Sequence, residues 1–380
     1  MQEIRKSLII LLILFSLATM CLAQPFDNSV RVAIIQDAVS LNIKVHGFCE
    51  IVDSATGKVL HRFKNLKTTV TGFKDGILLG GEVFNTGKLS IKADDIEALS
   101  INGRRFRGDI QVIKRDNSRL LIVNSINLED YIKGILYHEV SHYWPHEALK
   151  AQAIVCRTYA AYQMQENKAK DFDVTSDVYS QVYGGAASER YRTNKAVEET
   201  KDMILMYQGK VFPAYFHATC GGHTEDASLL WNINIPPLKG VVCDFCKDSP
   251  HFKWQRVLSL EEIREKLNKG GRKIADIKGI GILGRDKSGR ITKLKVSMLK
   301  EELMITGKDF RHAIGPDIIR STNFNIDIAD DTDAVFEGVG WGHGVGMCQW
   351  GAYFMAKDGR NLEQILKYYY PGSDVKTLRF

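Results

Sequence analysis

Proline is scarce, at 8 of 380 residues, which excludes proline-rich linkers. Neither sign of charge dominates: Lys+Arg 51 against Asp+Glu 45 leaves a net charge of +6. That excess is mild and dispersed, with no long basic block. It argues against a nucleic-acid partner and is compatible with an anionic polymer as substrate. Cysteine is thin as well, with seven in the whole chain, so a dense disulfide scaffold is excluded. Beyond the first two dozen residues no segment is apolar enough to span a bilayer. Against these shortages, glycine is frequent at 32, which points to many tight turns. Hydrophobic residues at 44% and charged residues at 25% are those of a globular chain, so disorder, collagen and coiled coil fall away. The length suits one large or two modest domains.

Residues 1–23 read as an export signal. Arg5 and Lys6 precede a ten-residue apolar run at 8–17, and Cys21-Leu22-Ala23 supplies a cut after Ala23. A run of ten is short for a bilayer span of about 20. The rival readings are a lipoprotein site at Cys21, which Met20 fits poorly, and a retained membrane anchor. The expected location is therefore outside the cytoplasmic membrane: periplasmic, wall-associated or secreted. No other membrane contact is expected.

The expected fold class is α+β. A β-rich N-terminal region at 24–126 shows β-branched or alternating runs at 30–35, 41–45, 47–52, 88–91 and 119–126. A mixed α+β domain follows at 127–380. Asn127 is a helix N-cap candidate before Leu128-Glu129-Asp130-Tyr131, with acids in the first turn. A second helix opens at Pro145 and runs to about 165, and strands follow near 204–207 and 210–217. Residues 258–324 read as a small inserted α+β unit, with a helix from Ser259 to Leu267 and a strand at 291–297.

Three constellations carry chemistry. His138-Glu139-Val140-Ser141-His142 matches the zinc-protease pattern, in which both histidines face one metal from a continuous helix. Pro145 forces that helix to stop almost on the motif, and no downstream third ligand stands at the longer protease spacing. The same residues read differently by helical period. Ile132, Ile135, Leu136 and Glu139 stand at i, i+3, i+4 and i+7, so Glu139 lies on the apolar stripe of its helix. A desolvated carboxyl has a raised pKa and keeps a proton near neutral pH, as a general acid must. The plain alternative is a structural glutamate paired with Arg157 or Lys150.

The second constellation joins Cys220-Gly221-Gly222-His223 to Cys243-Asp244-Phe245-Cys246, the spacing of a structural zinc site. His217 or His251 could replace one member, and a Cys243–Cys246 disulfide is the rival. The third is the glycine-rich run from Gly340 to Gly351, which carries His343 and Gln349 and permits close backbone approach to a ligand.

Six segments then resemble one family in order. They are Tyr131 to Glu139, Trp144 to Ala160, Asp177 to Gly184, Phe216 to Glu225, Arg320 to Phe324 and Gly342 to Ala352. Together they resemble the stage II sporulation protein D and amidase-enhancer family over about residues 120–375. The resemblance implies a peptidoglycan-directed protein. Sporulation members act as lytic transglycosylases on glycan strands lacking stem peptides, and relatives also occur in bacteria that do not sporulate. The family's catalytic glutamate falls on Glu139, while His138 and His142 are not part of its pattern. Cys156 and Cys348 stand where small residues are usual, and only some members carry the Cys243/Cys246 pair. Lys150 and Arg157 are candidates to contact the lactyl carboxylate or hold Glu139. Tyr183, His217, His343 and Gln349 are groove candidates. A wall-binding protein that stimulates a cell-wall amidase is the alternative function, and a zinc protease the distant one.

Overall fold

The computed structural model describes residues 28–95, 99–269 and 271–378. The export segment read at 1–23 lies outside the described residues. The fold is α+β with a β-rich N-terminal part.

Alternation builds that part. The strand Ser40–Val45 buries Leu41, Ile43 and Val45 and exposes the residues between them. A six-stranded antiparallel sheet runs in the order Arg104–Phe106, Leu99–Ile101, Ser40–Val45, Lys67–Phe73, Gly76–Leu79, Glu82–Phe84. A seven-stranded sheet runs Val174–Thr175, Ser29–Ala38, Leu120–Asn127, Asp109–Lys114, Lys88–Ala93, Phe48–Asp53, Val59–Lys64. Only its first pair is parallel. Both sheets feed one core, with Val32, Ile51 and Ile91 from one and Leu41, Val70 and Ile77 from the other.

Eight helices follow among the described residues: α1 (Leu128–Glu139), α2 (His146–Glu166), α3 (Tyr191–Glu199), α4 (Ala227–Trp231), α5 (Leu260–Lys269), α6 (Gly307–Ile314), α7 (Gln349–Lys357) and α8 (Leu362–Tyr369). Asn127 caps α1 by accepting the N–H of Glu129. The apolar stripe of α1, Leu128, Tyr131, Ile132, Ile135 and Leu136, packs into the β-rich core. Pro145 turns out to precede α2 rather than open it, because its ψ of 139° is extended.

α2 is apolar on most of its circumference because it walls two cores. Leu149, Ala153, Cys156 and Ala160 pack with the β-rich part. Ala151, Ile154 and Val155 pack with α7, α8 and the four cysteines Cys220, Cys243, Cys246 and Cys348. A third core spans Trp254 to Phe336. It joins α5 and α6 to the three-stranded sheets Lys253–Ser259, Asp333–Val339, Phe324–Ala329 and Ile277–Arg285, Ile291–Met298, Glu302–Thr306. Antiparallel pairing of Lys253 with Val339 through Ser259 with Asp333 carries this unit past 258–324 on both sides.

The strand expected at 210–217 is broken. Lys210–Val211 and Phe216–His217 are separate, and Pro213, which has no N–H to give a ladder, stands between them. Phe216–His217 pairs in parallel with Met347–Cys348. Gly346 makes the approach possible: its φ is 72°, and a Cβ there would lie 1.9 Å from the Tyr215 carbonyl oxygen. Among the described residues no helix is long and apolar enough to cross a membrane.

Candidate functional site

α1 ends on Glu139, since Val140 is extended at φ −142° and ψ 151°. Glu139 is therefore the last helical residue, and its side chain projects where the chain leaves the helix. Its Oε1 accepts the Val182 N–H at 3.2 Å. Burial pushes its pKa up from 4.5 to about 7, against the lowering pull of that N–H. Its backbone carbonyl, one of the unpaired acceptors at a helix C-terminus, accepts from Gln349 Nε2 at 3.1 Å. Gln349 opens α7, so the glycine-rich turn delivers its amide to the end of α1 from 210 residues away.

α2 lines the same place with Gln152, Cys156 and Tyr159, at i, i+4 and i+7. Gln152 Nε2 donates to Cys156 Sγ at 3.2 Å, and its Oε1 lies 3.5 Å from Gln349 Nε2. Burial raises the pKa of Cys156 and Tyr159, and the nearby Glu139 charge raises both further. The loop bearing Val182 is pinned by Gln181, which accepts from Tyr131 Oη at 3.1 Å and donates to the Cys156 carbonyl at 3.4 Å.

Aromatic rings continue outward from Tyr159. Tyr215 lies 5.9 Å from it and 4.3 Å from Trp231. His343 sits 5.0 Å from Trp231 and 5.7 Å from His217. Burial favours the neutral form of both imidazoles. Burial first, and then the neighbouring His343 and the Arg290 charge, hold the pKa of His217 well below the usual value. Burial, then Arg311 and Arg290, hold His343 at about 3. His217 Nδ1–H donates to the Val345 carbonyl at 3.1 Å, which leaves Nε2 as a bare acceptor, buried and without a protein partner. His343 Nδ1 accepts the Val345 N–H at 3.1 Å.

Several expected site residues lie elsewhere. Arg157 is fully buried and forks onto Glu129 at 2.7 Å through both Nε and Nη2, so it locks α1 to α2 and lines no groove. Lys150 pairs with Glu147 and, at 3.9 Å, with Glu199. Among the described residues neither forms an ion pair with Glu139. Both sit off the Gln152–Cys156–Tyr159 row of α2. Tyr183 is buried beneath α1, with its hydroxyl on Asn124 Oδ1 at 2.8 Å. The protease pattern fails on backbone geometry: α1 stops at Glu139, His142 is outside it, and His138 Nε2 is held by Ser188 Oγ at 2.6 Å. Trp144, past the helix end, packs on Trp350 and Tyr353.

The cysteine expectation changes in one member. Cys220, Cys243, Cys246 and Cys348 are all buried, and their sulfurs lie within 4.8 Å of one another. His223 is not in the group, because its Nδ1 turns to the Thr224 carbonyl at 2.5 Å. His217 and His251 are outside the group as well. Cys348, 128 residues from Cys220, takes the fourth corner. Sequence spacing could not point to it. The i, i+4, i+7 row on α2 is legible in the sequence from helical period alone.

A family profile described as stage II sporulation protein matches residues 116–207, the stretch that holds α1, α2 and the loop over Glu139. A domain of unknown function, DUF8618, matches residues 242–346, which contain most of the third core. An uncharacterized protein of Brachyspira hyodysenteriae is 37% identical over 86% of this chain and 84% of its own length. The stage II sporulation protein D of Bacillus subtilis is 33% identical over 67% of this chain and 75% of its own length. The chain belongs to the stage II sporulation protein D family. The amidase enhancer of Bacillus subtilis is also similar, 28% identical over 65% of this chain and 40% of its own length.

Proposed function

We propose that the protein is an exported lytic transglycosylase that cleaves the bond between N-acetylmuramic acid and N-acetylglucosamine in peptidoglycan strands. The observation that carries this reading is the Glu139 carboxyl, with its pKa pushed up to about 7 by burial at the end of α1. Such a group is half protonated near neutral pH and can serve as acid and then as base.

Protonated Glu139 gives its proton to the glycosidic oxygen as the bond to muramyl C1 breaks. The carboxylate left behind takes the proton of the C6 hydroxyl as O6 bonds to C1. A 1,6-anhydro ring forms and no water is consumed, so the second carboxylate of an ordinary glycoside hydrolase is not needed. Val182 N–H fixes one carboxyl oxygen and leaves the other to carry the proton.

The surroundings suit a sugar chain. Tyr143, four residues past Glu139, is 76% exposed, and Tyr179, on the Val182 loop, is 78% exposed. Open ring faces stack on sugar rings, and the bare Nε2 of His217 can accept a sugar hydroxyl. The expected partners are glycan strands and, through the likeness to the amidase enhancer, a wall amidase. A non-catalytic binder that stimulates such an amidase is the second reading, favoured by that same relative.

Digestion of intact and peptide-stripped sacculi in parallel, with products read by mass spectrometry, separates the two. Anhydromuramyl ends from wild type and none from Glu139→Gln support the enzyme. Binding to sacculi and amidase stimulation, both kept by Glu139→Gln with no anhydro product from either protein, would leave the binder.

A further inference from the structure

We propose that Cys220, Cys243, Cys246 and Cys348 form a closed four-sulfur site for one structural zinc ion, with Cys348 and not His223 as the fourth ligand. The inference does not depend on the catalytic reading.

The donor set fits the ion. Zinc in structural sites takes four tetrahedral ligands, and a Zn–S bond of about 2.3 Å spaces the sulfurs by roughly 3.8 Å. The four sulfurs here lie within 4.8 Å of one another, and Cys220 and Cys246 are 3.4 Å apart. All four cysteines are free of disulfides and fully buried.

The sulfurs are also surrounded by donors. Cys348 Sγ accepts the backbone N–H of Cys220 and of Gly351, each at 3.3 Å. The Tyr369 hydroxyl lies 3.2 Å from Cys243 Sγ and can donate to it. Donors around sulfur stabilise thiolate charge and orient ligands, whereas core thiols kept only for packing need none. Arg290 adds a fully buried cation behind the Cys220 knuckle, donating to the carbonyls of Cys220 at 2.7 Å and His223 at 2.9 Å.

Three remote stretches meet at this point. Cys220 follows the Phe216–His217 strand, Cys243 and Cys246 lead into the third core, and Cys348 is the N-cap of α7. A closed set of protein ligands leaves no position for substrate, so the ion would be structural. Its fourth ligand is adjacent in sequence to Gln349, which holds the Glu139 carbonyl.

The test is metal analysis and cobalt substitution on full-length protein purified without chelator. One zinc per chain is expected in wild type and in His223→Ala, and loss of most of it in Cys348→Ser. Cobalt-exchanged wild type and His223→Ala should share the intense sulfur-to-cobalt charge-transfer and visible bands of four-thiolate coordination. If Cys348→Ser fails to fold, the wild-type and His223→Ala spectra decide alone. Zinc lost in His223→Ala would overturn the ligand set. Protein without zinc, with these cysteines found paired in disulfides or freely alkylated in the folded state, would overturn the site.

Discussion

Replacing Glu139 by Gln keeps the shape of the side chain and removes its proton. Two effects follow, and they have opposite signs. Cleavage of glycan strands should fall on the order of 10²-fold or more, the usual worth of a general acid. Folding stability should rise at alkaline pH. In the unfolded chain the carboxyl loses its proton near 4.5, while in the fold it keeps it up to about 7. Between those values the native state binds the extra proton, so stability falls as pH rises through that window and stays lower above it. At roughly 1.4 kcal/mol per pH unit the wild type gives up about 3 kcal/mol across the window, less whatever solvent reaches the carboxyl. Gln has no proton to hold and no such slope. Urea unfolding of both proteins at pH 5 and pH 8 measures this. The stability of Glu139→Gln relative to wild type should improve from pH 5 to pH 8. Equal pH slopes in the two proteins would refute the claim that Glu139 is desolvated. Undiminished cleavage by the variant would refute its role as the acid.

Gln349→Ala removes the amide on the Glu139 carbonyl. It should cost about 1 kcal/mol of stability, yet lower kcat by about ten- to a hundredfold through misplacement of the acid, with KM on soluble glycan strands little changed. A rise in KM alone would make Gln349 a sugar contact instead. Arg157→Met strands Glu129 without its buried partner and should cost about 3–5 kcal/mol in urea unfolding; a loss under 1 kcal/mol would mean that the pair is not buried. His138→Ala and His142→Ala should cleave nearly as well as wild type and keep their metal content. A loss matching that of Glu139→Gln, together with loss of a bound ion, would restore the protease reading.

Period and punctuation decided part of the local structure. Alternating side chains placed the strands near 30–35, 41–45 and 119–126; the observed Ser29–Ala38 and Ser40–Val45 contain the first two, and Leu120–Asn127 is shifted by one residue from the third. The 3.6-residue period put Glu139 on the buried face of α1 before any partner was visible, because helix geometry alone decides which residues share a face. Short strands such as Gly76–Leu79 and Leu99–Ile101 carry too little alternation to stand out, and the longer strands Val59–Lys64, Lys67–Phe73 and Asp109–Lys114 also lie outside the expected runs.

Pairing across long loops was decided only by the tertiary structure. Arg157 reads as a candidate to hold Glu139 or the lactyl carboxylate, yet both faces of α2 are covered, so it is buried and meets Glu129. Tyr183 sits in a block that resembles a groove motif and lies under α1 instead. His223 had the right spacing for a ligand, but the parallel pairing of Phe216–His217 with Met347–Cys348 brings Cys348 to the cluster in its place. Residues 128 apart share no periodicity, and nothing in the chain between them encodes which will be neighbours. The glycines between Gly340 and Gly346 supply the remaining condition: a turn with no Cβ in the way is what lets the two strands close and sets Gln349 against Glu139.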